Sequence, residues 1–249
     1  MIKSDPLHRV VIVADAHLPL DDREGGEEQR KSFLRLLKST QDTTCCYILL
    51  GDIFDFWFEW KHVVPKRAFP ILMQLKQCVD SGVPVHYFAG NHDFHLKGFL
   101  AETIGLTLHM DEWTETIDNF RYYFHHGDGF AKSDAGYRKL KRIFRSPLAQ
   151  VLFGGVVHPD LAMQLGRITS NEGRRRHETN TRQEPPMEEY FDTAQRILAR
   201  GHDVVVIGHT HEACDQELSG GRYHNPGPFL AERRYSVIEG GLPRNEVWA

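Results

Sequence analysis

Residues 83–95 read VPVHYFAGNHDFH. The run VPVHYFA has the length and composition of a buried strand, and it ends abruptly in polar groups: Asn91, His92, Asp93 and His95. Gly90, at the junction, lets the backbone turn sharply. A strand whose carboxyl end is crowded with imidazole, carboxylate and amide groups predicts an α/β sheet with its functional site beyond the strand ends.

Upstream, the same alternation repeats. RVVIVAD (9–15) reads as a strand and EEQRKSFLRLLKS (27–39) as an amphipathic helix, with Phe33, Leu36 and Leu37 on one face. YILLGD (47–52) is the next strand. PKRAFPILMQLKQCVDSG (65–82) is the next helix, with Ala68, Leu72, Leu75 and Val79 at helical spacing and Pro70 early enough to be tolerated. This βαβαβ order predicts parallel strands with helices packed on the sheet.

Downstream the pattern changes. Residues 107–128 predict two antiparallel strands joined by an Asp118-Asn119 turn. Residues 134–170 read as helical and apolar, with poor single-face periodicity. Residues 171–186 are polar, charged and proline-ended, and predict a loop. A helix over 187–202, a strand over 203–211 and short strands at 216–218, 222–227 and 234–240 close the domain.

The 249 residues suit one large domain carrying an insertion. A net charge of −4 and a pI near 6.4 argue against a nucleic-acid partner, and the arginine run 174–176 sits in the predicted loop. The four cysteines form no CxxC pair, which fits a reducing compartment. No signal peptide is evident and no apolar run approaches 18 residues, so a cytoplasmic location is expected.

Five strand ends carry metal-capable groups: Asp15 and His17; Asp52, with Asp55 beyond it; Asn91, His92 and Asp93; His126 and Asp128; His209 and His211. Each alone is an ordinary turn sequence. All five together predict a metal centre, and a mixed oxygen and imidazole set without thiolate suits Mn²⁺, Fe²⁺, Zn²⁺ or Co²⁺. The donors outnumber what one ion needs. Two ions sharing a central carboxylate could clamp one substrate and activate one water. The competing reading, a non-catalytic interaction module, predicts eroded ligand positions, and these are filled.

The ordered motifs DAH, GDIFD, GNHD, HGD and GHTH resemble those of the calcineurin-like metallophosphoesterases, from Asp15 to about Gly227. The resemblance implies a four-layer α/β/β/α sandwich and two divalent ions, Mn²⁺ foremost. It assigns Asp15, His17, Asp52 and His211 to one ion, and Asp52, Asn91, His126 and His209 to the other, with Asp52 bridging. His92 would act on the phosphoryl group, with Asp93 orienting it. Asp55 and Asp128 would support the ligands, while His86, His95 and His125 would carry no chemistry.

Within that family, HGDGFAKSDAGYRKLKRIF and the later RITS look like the subfamily that cleaves UDP-2,3-diacylglucosamine in lipid A biosynthesis. The resemblance implies a helical lid over about 134–172. Asp134 and Tyr137 would stand at its base, Arg167 and Ser170 would contact the sugar and phosphate, and Leu148, Val151, Leu152 and Phe153 would be among the residues facing the acyl chains. It implies an acylated UDP-sugar as partner, and Lys139, Lys141, Arg142 and Arg145 suggest peripheral contact with the cytoplasmic face of the inner membrane. One position departs: better-known members of the subfamily carry arginine where this chain has His92. Another nucleotide pyrophosphate or phosphodiester is the alternative substrate.

Overall fold

The computed structural model describes residues 1–93, 95–96, 98–131, 135–167 and 186–249; the side chains of 135–137, 140 and 231 are outside the description. Two sheets carry the fold. The first has the order β11-β10-β1-β2-β3-β4 and the second β5-β6-β7-β9-β8. β1 (Arg9–Val13), β2 (Thr44–Leu49), β3 (Val85–Phe88) and β4 (Thr107–His109) run parallel. β10 (Arg234–Ile238) and β11 (Pro243–Val247) add antiparallel to the β1 edge. In the second sheet, β5 (Trp113–Ile117) and β6 (Phe120–His125) form a hairpin. β7 (Val204–Ile207) runs parallel to β6 and β9 (Gly221–Asn225), and β8 (Cys214–Leu218) closes the edge.

Strand periodicity builds the layers. In β1, Val11 and Val13 face one core while Val10 and Ile12 face another; in β2, Tyr47 and Leu49 oppose Cys46 and Ile48 in the same way. The first core packs against α1 (Gly26–Thr40) and α2 (Phe69–Asp80), through Phe33, Leu36, Leu37, Leu72 and Leu75. The second core lies between the sheets, where Ile12 and Phe88 meet Phe124, Val204 and Val206. The third packs Val205 and Ile207 of β7 under Tyr190, Ala194 and Ile197 of α6 (Met187–Leu198). The order is therefore α/β/β/α. Strands buried on both faces read as unbroken apolar runs, as these do.

The structure differs from the sequence reading in two places. Residues 107–117 do not form one strand: Thr107–His109 pair with β3 in the first sheet and Trp113–Ile117 join the second. The Trp113 ring stacks on His86 and His109, with centroids 4.1 and 5.1 Å away, and so ties the sheets together at the crossing. β11 is also an added strand. Its polar alternation, PRNEV, conceals it, and its proline stands first on an edge strand, where a missing N–H does no harm.

Among the described residues, three helices lie between β6 and α6: α3 (Ala135–Phe144), α4 (Pro147–Val156) and α5 (159–167). The Ser146 hydroxyl accepts from Ala149 N–H at 3.3 Å and Pro147 opens α4, so one short loop ends α3 and caps its successor. Their apolar side chains are unusually open: Leu148, Val151, Leu152 and Val156 are all more than half exposed. Among the described residues no helix is long and apolar enough to cross a membrane. The predicted loop over 171–185 lies outside the described residues.

The β5–β6 turn tests the local chemistry. Asp118 and Asn119 both have positive φ, 50° and 75°, as a two-residue hairpin of matching twist requires. Asn119→Gly is expected to leave stability unchanged or slightly raised, whereas Asn119→Val should lose about 1–2 kcal/mol. A lower urea midpoint with unchanged slope would register that loss.

Candidate metal centre

The polar strand ends converge at one edge of the sandwich, and the backbone there is bent hard. Asp15, His17, Asp52, His209 and His211 all adopt positive φ, between 41° and 68°. Left-handed backbone costs an L-residue about 1–2 kcal/mol, and such strain gathers where side-chain direction matters more than local stability. Cross-loop hydrogen bonds hold it: His17 N–H donates to Asp52 O at 2.8 Å, Asp15 N–H to Gly51 O at 3.2 Å, and His209 N–H to the Asp15 carboxylate at 3.0 Å. Two glycines make room. A Cβ on Gly90 would lie 2.1 Å from Asp52 Oδ1, and one on Gly51 (φ 92°) would lie 2.5 Å from His126 Nδ1.

Three groups of potential ligand atoms form, each within 4.8 Å: Asp15, His17 and His211; Asp52, His126 and His209; and His17, Asp52 and His92. His17 Nε2 lies 3.1 Å from His211 Nε2 and 3.8 Å from Asp52 Oδ2, and His211 Nε2 lies 3.4 Å from Asp15 Oδ1. On the other side of Asp52, His126 Nε2 is 3.5 Å from its Oδ2 and 3.4 Å from Asn91 Oδ1. His126 Nδ1 donates to the Leu50 carbonyl at 2.9 Å, so Nε2 is the ring nitrogen turned toward Asp52.

These residues fit a pair of cations. Asp15 Oδ1 is buried with His211 Nε2 facing it at 3.4 Å, and two imidazole Nε2 atoms face each other at contact distance. Burial pushes His126 down, yet the charges of Asp52, Asp15 and Asp128 override it and lift the ring to about 10. Burial pushes Asp52 up, yet the neighbouring imidazoles, His126 first, hold it well below the usual carboxylate range. The carboxylates raise His211 as well, while burial and the neighbouring imidazoles hold His17 and His209 down.

His92 and Asp93 do not work as a pair. His92 Nδ1 donates to the Asp55 carbonyl at 2.9 Å, leaving Nε2 for the site, while its ring meets His17 edge-on at 4.7 Å. Asp93 instead accepts from Gly90, Asp52 and Ile53 N–H groups and from the Tyr87 hydroxyl, at 2.6–3.1 Å. The expectation that Asp93 orients His92 is therefore corrected: adjacency in sequence does not survive the turn, and a buried carboxylate takes the nearest N–H donors. His92 also stands close enough to His17 and Asp52 to count among the ligand groups, although it was expected to act only on substrate.

The remaining candidates divide. His125 accepts from Gly127 N–H and stacks on Phe130, His95 stacks on Phe58, and His86 lies 2.9 Å from His109, all outside the convergence. Asp128 pairs with Lys141 of α3 at 2.6 Å. Arg167, on α5, is exposed, with its Nε 3.9 Å from Asp21. Asp134 and Ser170 lie outside the described residues, as does the Tyr137 side chain. Sequence reading passed over Asp21 and Arg23, which lead from α5 to Asp55, and over Phe56 and Phe58, on which α4 and α5 rest. The aromatic run FDFWFEW (54–60), one residue beyond Gly51-Asp52, was a signal for the latter pair.

A sandwich of this order with clustered imidazoles and carboxylates at the strand ends defines a metal-dependent phosphoester hydrolase. The chain belongs to the calcineurin-like phosphoesterase family, which matches residues 8–213. It is similar to proteins named UDP-2,3-diacylglucosamine hydrolase. That of Porphyromonas gingivalis is 28% identical, covering 93% of this chain and 94% of its own. Those of Pseudomonas syringae pv. tomato and Escherichia coli are 28% and 27% identical, covering 85% and 84% of this chain and 83% and 84% of theirs.

Two outcomes are expected. Asp52→Ala should abolish binding of both ions and lower diester hydrolysis by more than the ~100-fold typical of losing an outer partner; plasma-mass-spectrometric metal content and a chromogenic diester assay check this. His92→Ala should keep both ions while turnover falls about 10²–10⁴-fold. Metal lost in step with activity would instead make His92 a ligand.

Proposed function

We propose that this chain hydrolyses the pyrophosphate of UDP-2,3-diacylglucosamine, giving UMP and 2,3-diacylglucosamine 1-phosphate. The observation that carries the reading is the docking of the helical insertion across the metal centre. α3 reaches it through Lys141 on Asp128, two residues beyond His126. α5 packs Gly166 against Phe56, one residue beyond Asp55. The apolar side chains of α4 are left open beside it. An acylated sugar nucleotide needs apolar surface next to a phosphate site, and the names of the similar proteins favour the same substrate.

Asp15, His17, Asp52 and His211 would hold one divalent ion, and Asp52, Asn91, His126 and His209 the other. Bound there, such ions acidify a water and withdraw charge from phosphoryl oxygens. The side chains supply the rest. Asp52 sits between the two imidazole clusters and fixes their spacing. Asn91 is placed beside His126, where its amide can meet a phosphoryl oxygen. With Nδ1 tied to the Asp55 carbonyl, His92 presents Nε2, which when protonated donates to the phosphoryl or leaving oxygen as the bond to phosphorus breaks. Residues 134–172 would act as the lid, with Arg167, Ser170, Asp134 and Tyr137 contacting substrate, the open apolar residues meeting the acyl chains, and Lys139, Lys141, Arg142 and Arg145 bringing the lid to the membrane's cytoplasmic face. His92, where the subfamily's better-known members have arginine, favours a second reading: another nucleotide pyrophosphate as substrate.

Incubation with Mn²⁺ and UDP-2,3-diacylglucosamine should release UMP and the diacylated sugar phosphate, identified by mass spectrometry. UDP-glucosamine without acyl chains should be cleaved with a kcat/KM about 100-fold lower, the effect of three or four buried methylenes at about 0.8 kcal/mol each. Equal efficiency on both would refute acyl selection by the lid, and cleavage of other nucleotide pyrophosphates alone would favour the second reading.

A further inference from the structure

Arg23 lies on the loop between β1 and α1, and the metal-centre motifs do not include it. Its side chain is mostly buried, and its guanidinium spans two carboxylates. Nε and Nη2 form a fork on Asp21 at 2.7 and 2.9 Å, and Nη1 lies 2.5 Å from Asp55 Oδ2. Asp55, almost fully buried, in turn serves two imidazoles. Its Oδ1 faces His17 Nδ1 at 3.7 Å, and its carbonyl accepts from His92 Nδ1. Asp21 extends the chain outward to Arg167 on α5. The loop itself is braced, because the buried Arg30 donates to the carbonyls of Pro19 and Asp21.

We propose that Arg23 is a positioning residue for the metal centre: through Asp55 it sets the His17 and His92 rings, and through Asp21 it joins them to α5. Taking the guanidinium from a buried carboxylate is costly, and Asp55 relieved of Arg23 would be held less firmly against the His17 ring. Residues behind ligating histidines fix ring orientation, and their loss weakens metal binding or activity by about 10–100-fold. The effect is one-sided. His126 is oriented by the Leu50 carbonyl and has no contact with this chain of charges, so the ion on its side of Asp52 is not expected to respond. The fork matters as well as the charge, because only a guanidinium can engage Asp21 and Asp55 together.

The proposal rests on the reading of His17 as a ligand and His92 as the phosphoryl contact, not on the identity of the lipid nucleotide. The test is therefore a Mn²⁺ titration with two resolved affinities, together with kcat and KM on a chromogenic phosphodiester. In Arg23→Gln the weaker-held ion should be that of Asp15, His17 and His211, with affinity down about 10–100-fold, the other ion unchanged, and kcat lowered with KM unaltered. Arg23→Lys should recover part of the loss. Asp55→Asn, which keeps the carbonyl on His92, should reproduce the metal effect with a smaller fall in kcat. Unchanged metal affinities and kcat in Arg23→Gln would overturn the proposal. So would an equal weakening of both ions alongside a lowered Tm, which would make Arg23 a brace for the fold alone. If wild type cleaves the chromogenic diester but not the acylated nucleotide, the substrate reading fails while the one-sided metal effect still upholds the role of Arg23.

Discussion

Asp93 has no exposed surface, and its two oxygens accept four hydrogen bonds, from Gly90, Asp52, Ile53 and Tyr87. Burial and the adjacent Asp52 charge push its carboxyl up to about 6, and the four donors are what make the ionised form tolerable in that setting. Those donors come from two different strand ends. The carboxylate therefore sews the loop after β2 to the loop after β3, and in doing so brings Asp52 within 2.8 Å of His92 N–H. Asp52 faces His17 on one side and His126 on the other, so the geometry of the site depends on this buried knot beneath it.

Above the knot, the centre is an accumulation of strain. Five ligand-type residues take left-handed backbone, two carboxylates lie in the core of the sandwich edge, and imidazoles crowd within 5 Å of one another. No local preference favours such an arrangement. Burying the sheet on both faces is what supports it, since the last residues of the strands before each loop are buried and anchor its first residue. Strand ends are the one place where a rigid element and a free backbone turn meet, which is why residues far apart in the chain can converge there.

The same logic explains what could be read in advance. The ligand motifs were legible because each is local: an apolar strand followed at once by donors, with a glycine in four of the five. The βαβαβ order and both helix faces followed from periodicity that burial enforces. The division of residues 107–117 between two sheets was not legible, because it depends on the stacking of Trp113 over His109 and over His86 of β3, a strand 27 residues back in the chain. The partner of Asp93 was misread for a related reason: its neighbour in sequence is His92, but the turn at Gly90 points the carboxylate inward. Arg23 left no trace in pattern, since a cation in a polar loop looks like any solvated residue until Asp21 and Asp55 are seen around it.

The insertion shares its supports with the metal centre. α3 is held by Lys141 on Asp128 and by Arg138 donating to the Gly129 and Ala131 carbonyls. α4 lays Phe153 against Phe58, with centroids 4.9 Å apart, and α5 seats Gly166 on Phe56. Asp128 follows His126 by two residues, and Phe56 and Phe58 follow Asp52 by four and six. The loops that carry ligands inward on one side thus carry the insertion on the other. An element supported in this way needs little core of its own, which fits the open apolar faces of α4 and α5. It also means that displacing these helices, by a bound molecule or a surface, would be felt at His126 through two residues of backbone and at Asp52 through four to six.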